Sequence, residues 1–139
     1  MTRNSDGAIV NFNATISVVG VRTVVTLNAF GGSASDFGSL ADGRFTLTAL
    51  ASQISAGGQQ LDGNNDGTGG DDYVLVGTPA NGLFRLFGDA NGDGTVAADD
   101  FIAFRQYFGG YLFVFDFDGD GAVAASDFIQ FRLRFGGSI

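Results

Sequence analysis

The sequence predicts an α+β protein in which an antiparallel β unit, residues 1–80, precedes a small two-helix module, residues 83–139. Three observations predict this division. Apolar and polar residues alternate in the first part, as they do along half-buried strands. In the second part apolar residues recur at the spacing of a helix. The second part also contains an internal repeat.

Four segments of the β unit have the character of strands. Val10–Val18 alternates strictly, with apolar residues on one face and Asn, Thr or Ser on the other, which is typical of a half-buried strand. Val19-Gly20 is predicted to turn the chain into a second strand, Arg22–Phe30, and so to form a hairpin. Arg44–Leu50 and Tyr73–Val76 supply two further strands. An intact sandwich needs about seven strands, so we expect a partial sandwich.

Gly77–Gly82 holds the single proline and is predicted to be a short linker. After it, the spacing of apolar residues changes from that of a strand to that of a helix. Two sets of three Phe residues then follow the i, i+3, i+7 spacing of one helical face. These are Phe101, Phe104 and Phe108, and then Phe128, Phe131 and Phe135. Core packing explains both sets, with an aromatic ligand-binding strip as the alternative. Gly109-Gly110 and Gly136-Gly137 are expected to end the two helices.

The internal repeat is the strongest signal in the sequence. A shift of 27 positions lays residues 88–110 on residues 115–137 with 15 identities in 23 positions. In each copy an acidic loop is followed by Asp-Phe-Ile-x-Phe-Arg-x-x-Phe-Gly-Gly. The sequence therefore predicts a duplicated unit of one loop and one helix.

Each acidic loop has the ligand spacing of a twelve-residue calcium loop, with oxygen ligands at positions 1, 3, 5, 7 and 12. The first loop offers Asp89, Asn91, Asp93, the carbonyl of Thr95, and Asp100. The second loop offers Asp116, Asp118, Asp120, the carbonyl of Ala122, and Asp127. Gly94 and Gly121 occupy position 6, where the chain turns sharply, and Val96 and Val123 occupy the apolar position 8. The alternative is a pair of Asp/Gly-rich turns without metal.

A third loop with the same ligand order lies inside the β unit. It offers Asp62, Asn64, Asp66 and Thr68, but Tyr73 stands at position 12. Asp71 or Asp72 would therefore have to close the site, and Asp72 is included in the predicted ligand set. A flexible hairpin loop, in which Asn and Asp merely favour turns, is the alternative. The sequence thus predicts two Ca²⁺ ions in the repeat and a third in the β unit.

Composition and charge narrow the classes of function. A net charge of −8 argues against a nucleic-acid partner, because phosphate binding needs clustered basic residues. The chain has no Cys and no His, which excludes a disulfide framework, a thiolate zinc site and a Ser-His-Asp triad. The sequence contains no run of 18 apolar residues, so it predicts no membrane span. The first six residues are polar rather than a signal peptide, so we expect a removed signal or a fragment of a longer protein.

The first loop and its partner resemble the type I dockerin family. The resemblance is carried by Gly88–Val96 and Asp116–Asp127 and covers about residues 83–137. It implies a calcium loop followed by one helix in each repeat, with the two copies packed antiparallel about a pseudo-twofold axis. It also implies an extracellular or cell-surface module that docks a protein onto a cohesin-like partner, often on polysaccharide-degrading assemblies.

Some positions depart from that family. Loop positions 10 and 11, which carry much of the partner choice in the family, are Ala98-Asp99 and Ala125-Ser126 here rather than Ser-Thr. The basic residue five places after the last ligand is kept as Arg105 and Arg132, either as a solvated charge or as a partner contact. Residues 8–80 are similar to the closing strands of immunoglobulin-like repeats in large bacterial surface proteins.

The sequence thus predicts a calcium-binding extracellular module for protein attachment or assembly. The alternative is a small Ca²⁺-dependent hydrolase that acts on an ester or lactone through a metal-bound water, with an Asp as base. A site with an incomplete shell of ligands suits that chemistry best, which points to the Asp62 loop with Asp71 or Asp72.

Overall fold

The computed structural model describes residues 1–139 and confirms the α+β class. Most strands are short, and no helix is long and apolar enough to cross a membrane. The strands are β1 (Thr2–Arg3), β2 (Asn11–Val19), β3 (Arg22–Gly31), β4 (Ser35–Asp36), β5 (Ser39–Leu40), β6 (Gly43–Ala49), β7 (Ser55–Ala56), β8 (Gln59–Gln60), β9 (Tyr73–Val76) and β10 (Phe84–Arg85). The helices are α1 (Ala98–Tyr107) and α2 (Ala125–Arg134).

Strand β6 is the centre of the only sheet with more than two strands. It pairs with β1 along one edge and with β9 and β10, one after the other, along the opposite edge. Between those two strands, Gly77 N–H donates to the Phe45 carbonyl at 2.7 Å, and Phe45 N–H donates to the Leu83 carbonyl at 3.2 Å. Any Cβ at position 77 would lie 2.0 Å from the Leu83 oxygen, so only glycine fits there.

The segment predicted to be a linker is therefore held against the sheet. It contains a single 3₁₀ turn, Pro79–Asn81, between Thr78 and Gly82. The Thr78 hydroxyl accepts from Asn81 N–H at 3.3 Å, and the Asn81 side-chain oxygen accepts from Thr78 N–H at 2.9 Å. This reciprocal cap satisfies backbone groups that a flexible linker would leave to water.

The β2–β3 hairpin forms as predicted, but the end of its apolar face nearest the turn is not buried. Val10 is buried, whereas Ile16 and Val18 further along the same face are 73% and 74% exposed. The physical reason is that β2 and β3 pair only with each other, and no second sheet covers them. The turn is Gly20-Val21 rather than Val19-Gly20, with Gly20 at a φ of +63°.

The helical module has the predicted twofold character, and its two repeats are joined through their loops. Val96 of the first loop exchanges hydrogen bonds with Gly136 and Gly137 after α2. Val123 of the second loop exchanges the equivalent bonds with Gly109 and Gly110 after α1, at 2.8 Å each. Both Val side chains are fully buried, as predicted for position 8. Each loop is thus tied to the end of the other repeat's helix.

The core of this module is aromatic. The Phe104 and Phe131 rings, one from each helix, lie 5.0 Å apart and are buried, as their spacing predicted. Phe108 and Phe135 are about half exposed, because each follows the last residue of its helix. The remaining members of the core cluster are Phe87, Val96, Phe115 and Val123.

The β unit and the helical module contact each other directly. Asp42 accepts a hydrogen bond from Phe87 N–H at 2.7 Å and forms an ion pair with Arg134 of α2. The Phe117 ring packs edge-on against Phe37 of the β unit at 5.5 Å and against Phe87 at 5.0 Å. A loop-two residue therefore forms part of the interface.

Candidate metal centre

The first residue of each acidic loop is surrounded by backbone N–H groups. In the first loop, Asp89 Oδ1 accepts from Gly92 N–H at 2.8 Å and from Asp93 N–H at 3.2 Å. Asp89 Oδ2 accepts from Gly94 N–H at 2.8 Å. Gly94 has a φ of +88°, the left-handed conformation that position 6 requires. The chain thus wraps around the carboxylate of position 1.

The next two ligand positions are held by the loop itself. Asn91 Oδ1 accepts from Asp93 N–H at 2.9 Å, and Asn91 Nδ2 donates to Asp99 Oδ2 at 2.8 Å. Asp93 Oδ1 accepts from the Thr95 hydroxyl at 2.7 Å and from Thr95 N–H at 2.8 Å. The hydroxyl, followed by the backbone N–H and Asn91, lowers the pKa of Asp93. Asp93 is therefore ionised and oriented at neutral pH.

Asp100, at position 12, lies in the first turn of α1 and is 1% exposed. Its Oδ1 accepts from Ala90 N–H and its Oδ2 from Ala97 N–H, both at 2.8 Å. The positive end of the helix favours a carboxylate at this place. Each carboxylate oxygen has a further lone pair, which these hydrogen bonds leave free to bind a cation.

The second loop repeats this arrangement. Asp116 Oδ2 accepts from Gly121 N–H at 3.0 Å, as Asp89 does from its own position-6 glycine. Asp127, in the first turn of α2, is fully buried. Its Oδ1 accepts from Phe117 N–H at 2.7 Å and its Oδ2 from Ala124 N–H at 2.8 Å. The two position-12 carboxylates are therefore held in the same way.

Carboxylates converge more closely in the second loop than in the first. Oxygens of Asp116, Asp118 and Asp127 lie within 4.8 Å of one another. No such group of three forms in the first loop, which has Asn91 at the position of Asp118. Asp120 Oδ1 accepts from Ala122 N–H at 2.9 Å, the counterpart of the bond from Thr95 N–H to Asp93.

The two position-12 carboxylates, Asp100 and Asp127, are almost fully buried and have no basic partner. The ion pairs of the structure join arginines to Asp6 and Asp42, and neither Asp100 nor Asp127 takes part. A buried charge without a counter-charge is strongly destabilising. Acidic oxygens around a shared centre, without nitrogen or sulfur ligands, are the donor set that a hard cation such as Ca²⁺ prefers. The residues present therefore fit Ca²⁺.

The Asp62 loop has two of the three backbone hydrogen bonds that surround the first residue of the other loops. Asp62 Oδ1 accepts from Asp66 N–H at 3.1 Å, and Asp62 Oδ2 accepts from Gly67 N–H at 2.8 Å. Asn64 Oδ1 also accepts from Asp66 N–H, and Asp66 Oδ1 accepts from Thr68 N–H. All three loops thus share one local conformation, although the Asp62 loop is not followed by a helix.

Asp71, not Asp72, approaches this third loop. Carboxylate oxygens of Asp62, Asp66 and Asp71 lie within 4.8 Å of one another. Asp72 Oδ1 instead accepts from Ala51 N–H at 2.8 Å, at the start of a separate 3₁₀ turn. The structure therefore brings together the predicted ligands Asp62 and Asp66. The carboxylate that closes the loop is that of Asp71, whereas Asp72 was included in the predicted ligand set.

Comparisons with known proteins gave one similarity. No protein-family model and no curated protein matches the chain. A solved chain described as "Type II cohesin-dockerin domain from Bacteroides cellolosolvens" is 32% identical, with a TM-score of 0.37. The alignment covers 40% of this chain and 93% of that one. The description says type II where the sequence resembles type I, so the type stays a prediction. Over that share of its length, this chain is similar to a chain from a cohesin–dockerin structure.

Proposed function

We propose that this protein is a calcium-binding module in which two Ca²⁺ ions hold the duplicated loops in their folded form. One observation carries the proposal: Asp100 and Asp127 are buried without a basic partner, and the backbone orients both oxygens of each. In the second loop, oxygens of Asp116, Asp118 and Asp127 also lie within 4.8 Å of one another, which supports a shared metal centre there. The carbonyls of Thr95 and Ala122 complete the proposed sets.

Bound calcium would supply the positive charge that the loops lack. It would also connect the loop to the core, because the position-12 ligand belongs to a helix whose Phe residues pack between the repeats. Val96 and Val123 extend that connection, since each hydrogen-bonds to the end of the other repeat. We therefore infer that each ion stabilises the module as a whole rather than one loop alone.

A third, weaker Ca²⁺ is proposed for the Asp62 loop, with Asp71 as its closing carboxylate. Its ligand residues are half-buried or exposed, whereas position 12 of each other loop is buried. Water therefore competes more effectively for this ion, and fewer fixed ligands hold it. We expect lower affinity than in the repeat.

The proposed role of the calcium-bound module is protein attachment outside the cell. The resemblance of both loops and both helices to dockerins supports this, and the partner would be a cohesin-like module. Calcium would act by fixing the two helices on which Ile102 and Ile129 stand exposed at equivalent repeat positions. A panel of immobilised cohesins, tested in Ca²⁺ and in EDTA, examines this role; the absence of any calcium-dependent partner would count against it.

Thermal unfolding tests the calcium proposal itself. A ligand that binds only the native state stabilises it by about 2.7 kcal/mol at a hundredfold excess over Kd. We expect the melting temperature to rise by roughly 10 °C or more in Ca²⁺ relative to EDTA, with a smaller effect of Mg²⁺. Equal melting temperatures in Ca²⁺ and EDTA would contradict the proposal.

A further inference from the structure

A cleft of about 510 Å³ lies between the β unit and the helical module. Nine of its 17 lining residues are hydrophobic, six of them Phe, and its charged residues are Arg85 and three aspartates. This volume and this composition are typical of small-molecule sites, which often form between domains. The lining includes Asp36, Phe37, Arg85, Phe87, Phe113 and Phe117.

Arg85 is the unusual polar residue of the cleft. Its side chain is only 19% exposed, and Nη1 is buried without a hydrogen-bond acceptor. Asp42 Oδ1 lies 3.7 Å from Nη1, too far for a hydrogen bond, and already accepts from Phe87 N–H. Asp42 Oδ2 is engaged by Arg134. The guanidinium is therefore desolvated without full compensation, and burial lowers the pKa of Arg85.

Phe37 stands at the cleft in an unfavourable backbone conformation. Its φ is +48°, which is rare for a bulky residue, and the side chain is 67% exposed. The ring contacts Phe117 edge-on and otherwise faces solvent. Phe113, which also lines the cleft, is 75% exposed. Phe37 and Gly38 form the two-residue turn between β4 and β5, and both have positive φ, so the hairpin holds the ring in this exposed position.

We propose that this cleft binds a small carboxylate carried on an aromatic or apolar body. The carboxylate would pair with Arg85, the one basic residue that lines the cleft. The body would lie against the rings of Phe37 and Phe117. Both a free acid and the apolar C-terminal residue of a peptide have this chemistry. The proposed contacts are Arg85, Phe37 and Phe117, none of which is a predicted calcium ligand, so the site goes beyond the proposed function.

The three carboxylates that line the cleft would repel an anionic ligand to different degrees. Asp89 and Asp116 line the cleft, but their carboxylates accept hydrogen bonds from their own loops, and bound calcium would neutralise them. Asp36 has no such partner and is the carboxylate that an anionic ligand would meet. Its removal should therefore strengthen binding rather than weaken it.

The test is a titration of the full chain with phenylacetate, followed by two-dimensional ¹H–¹⁵N NMR in calcium-containing buffer. We expect saturable shifts in residues 36–40, 84–87 and 113–117, and binding at least tenfold weaker for the neutral phenylacetamide. A hydrogen bond to a charged group contributes roughly 1.5–3 kcal/mol, about ten- to a hundredfold in affinity. Acetyl-glycyl-phenylalanine, with a free or an amidated carboxyl end, tests the peptide source.

Four variants test whether the named residues of the cleft determine phenylacetate binding. Arg85→Gln should weaken phenylacetate binding at least tenfold, Asp36→Asn should strengthen it, and Arg105→Gln on the exposed face of α1 should leave it unchanged. Phe37→Gly removes the ring while suiting the positive φ, so the fold should persist and binding should weaken. Calcium titration of the same proteins reports separately on the loops. Equal affinity for phenylacetate and phenylacetamide, or unchanged affinity in both Arg85→Gln and Phe37→Gly, would overturn the proposal.

Discussion

Replacing Asp127 by Asn should cost stability in calcium and little without it. In the metal-free loop, Asp127 lies with Asp116 and Asp118, and their carboxylate oxygens are within 4.8 Å. At an effective dielectric constant of about 20, two unit charges at that distance repel by roughly 3 kcal/mol. Solvent at the half-buried Asp116 and Asp118 reduces this figure. The substitution removes two of the three repulsive pairs.

The same substitution weakens two hydrogen bonds. The carboxylate accepts from Phe117 N–H and Ala124 N–H, and Asn can replace only one of these acceptors. Each charge-assisted bond contributes roughly 1.5–3 kcal/mol, so weakening two of them is comparable with relieving two repulsive pairs that solvent screens. Without calcium the two effects nearly cancel. With calcium there is no repulsion left to relieve, and the variant also loses a ligand.

Thermal unfolding in EDTA and in saturating Ca²⁺ measures this difference. We expect the Asp127→Asn melting temperature to lie within a few degrees of the unmodified protein in EDTA. In calcium the variant should lose the contribution of one ion, about 2.7 kcal/mol at a hundredfold excess over Kd, or roughly 10 °C. Asp36→Asn removes one charge from a residue outside the three acidic loops and serves as the control. An equal loss in EDTA and calcium would refute a metal-ligand role for Asp127.

Three further predictions follow from other parts of the chain. Asp71→Asn should abolish the weakest calcium site, whereas Asp72→Asn should leave it intact, as calcium titration of the two variants will show. The Arg3 hydrogen bond lowers the pKa of Asp6 to about 2, so this pair stabilises the fold above the usual carboxyl pKa and is lost as the pH falls towards 2. Urea unfolding between pH 5 and pH 2 should therefore show a smaller acid dependence for Asp6→Asn. The ester and lactone hydrolase stays a prediction, and a substrate panel with Ca²⁺ or chelator tests it.

The acidic loops were predictable because their information is local. The spacing of oxygen ligands and the position-6 glycines fix the turn, and Gly94 and Gly121 both adopt the expected positive φ. Helix ends were predictable for the same reason, since Gly109 and Gly136 follow α1 and α2 in left-handed conformations. Because the unit is duplicated, the ligand spacing and the glycine positions each occur twice in the sequence.

Features that depend on distant segments were not predictable. Asp72 is held by Ala51 N–H, 21 positions away, and no local pattern distinguishes it from Asp71. Asp42 stands in a loop without any motif, yet it joins the two units through Arg134, 92 positions later. Strand alternation correctly predicted β2, but only tertiary structure decides whether a second sheet covers it.

The aromatic core contains residues that local spacing predicts and residues that only tertiary packing explains. Phe104 and Phe131 were predictable from helical spacing, because each lies in the middle of its Phe set. Phe87 and Phe115 lie in the short segments before the loops, where two or three residues define no period. They are nevertheless fully buried, because Phe115 packs against Phe104 and Phe131 of the two helices and Phe87 packs against Phe117.

Calorimetric titration of the metal-free chain with Ca²⁺ tests the central claim most directly. The claim is that each duplicated loop holds one ion. We predict at least two ions per chain, with the stoichiometry falling by one in Asp100→Asn and by one in Asp127→Asn. Fewer than two ions bound to the unmodified protein, or an unchanged count in both variants, would contradict it.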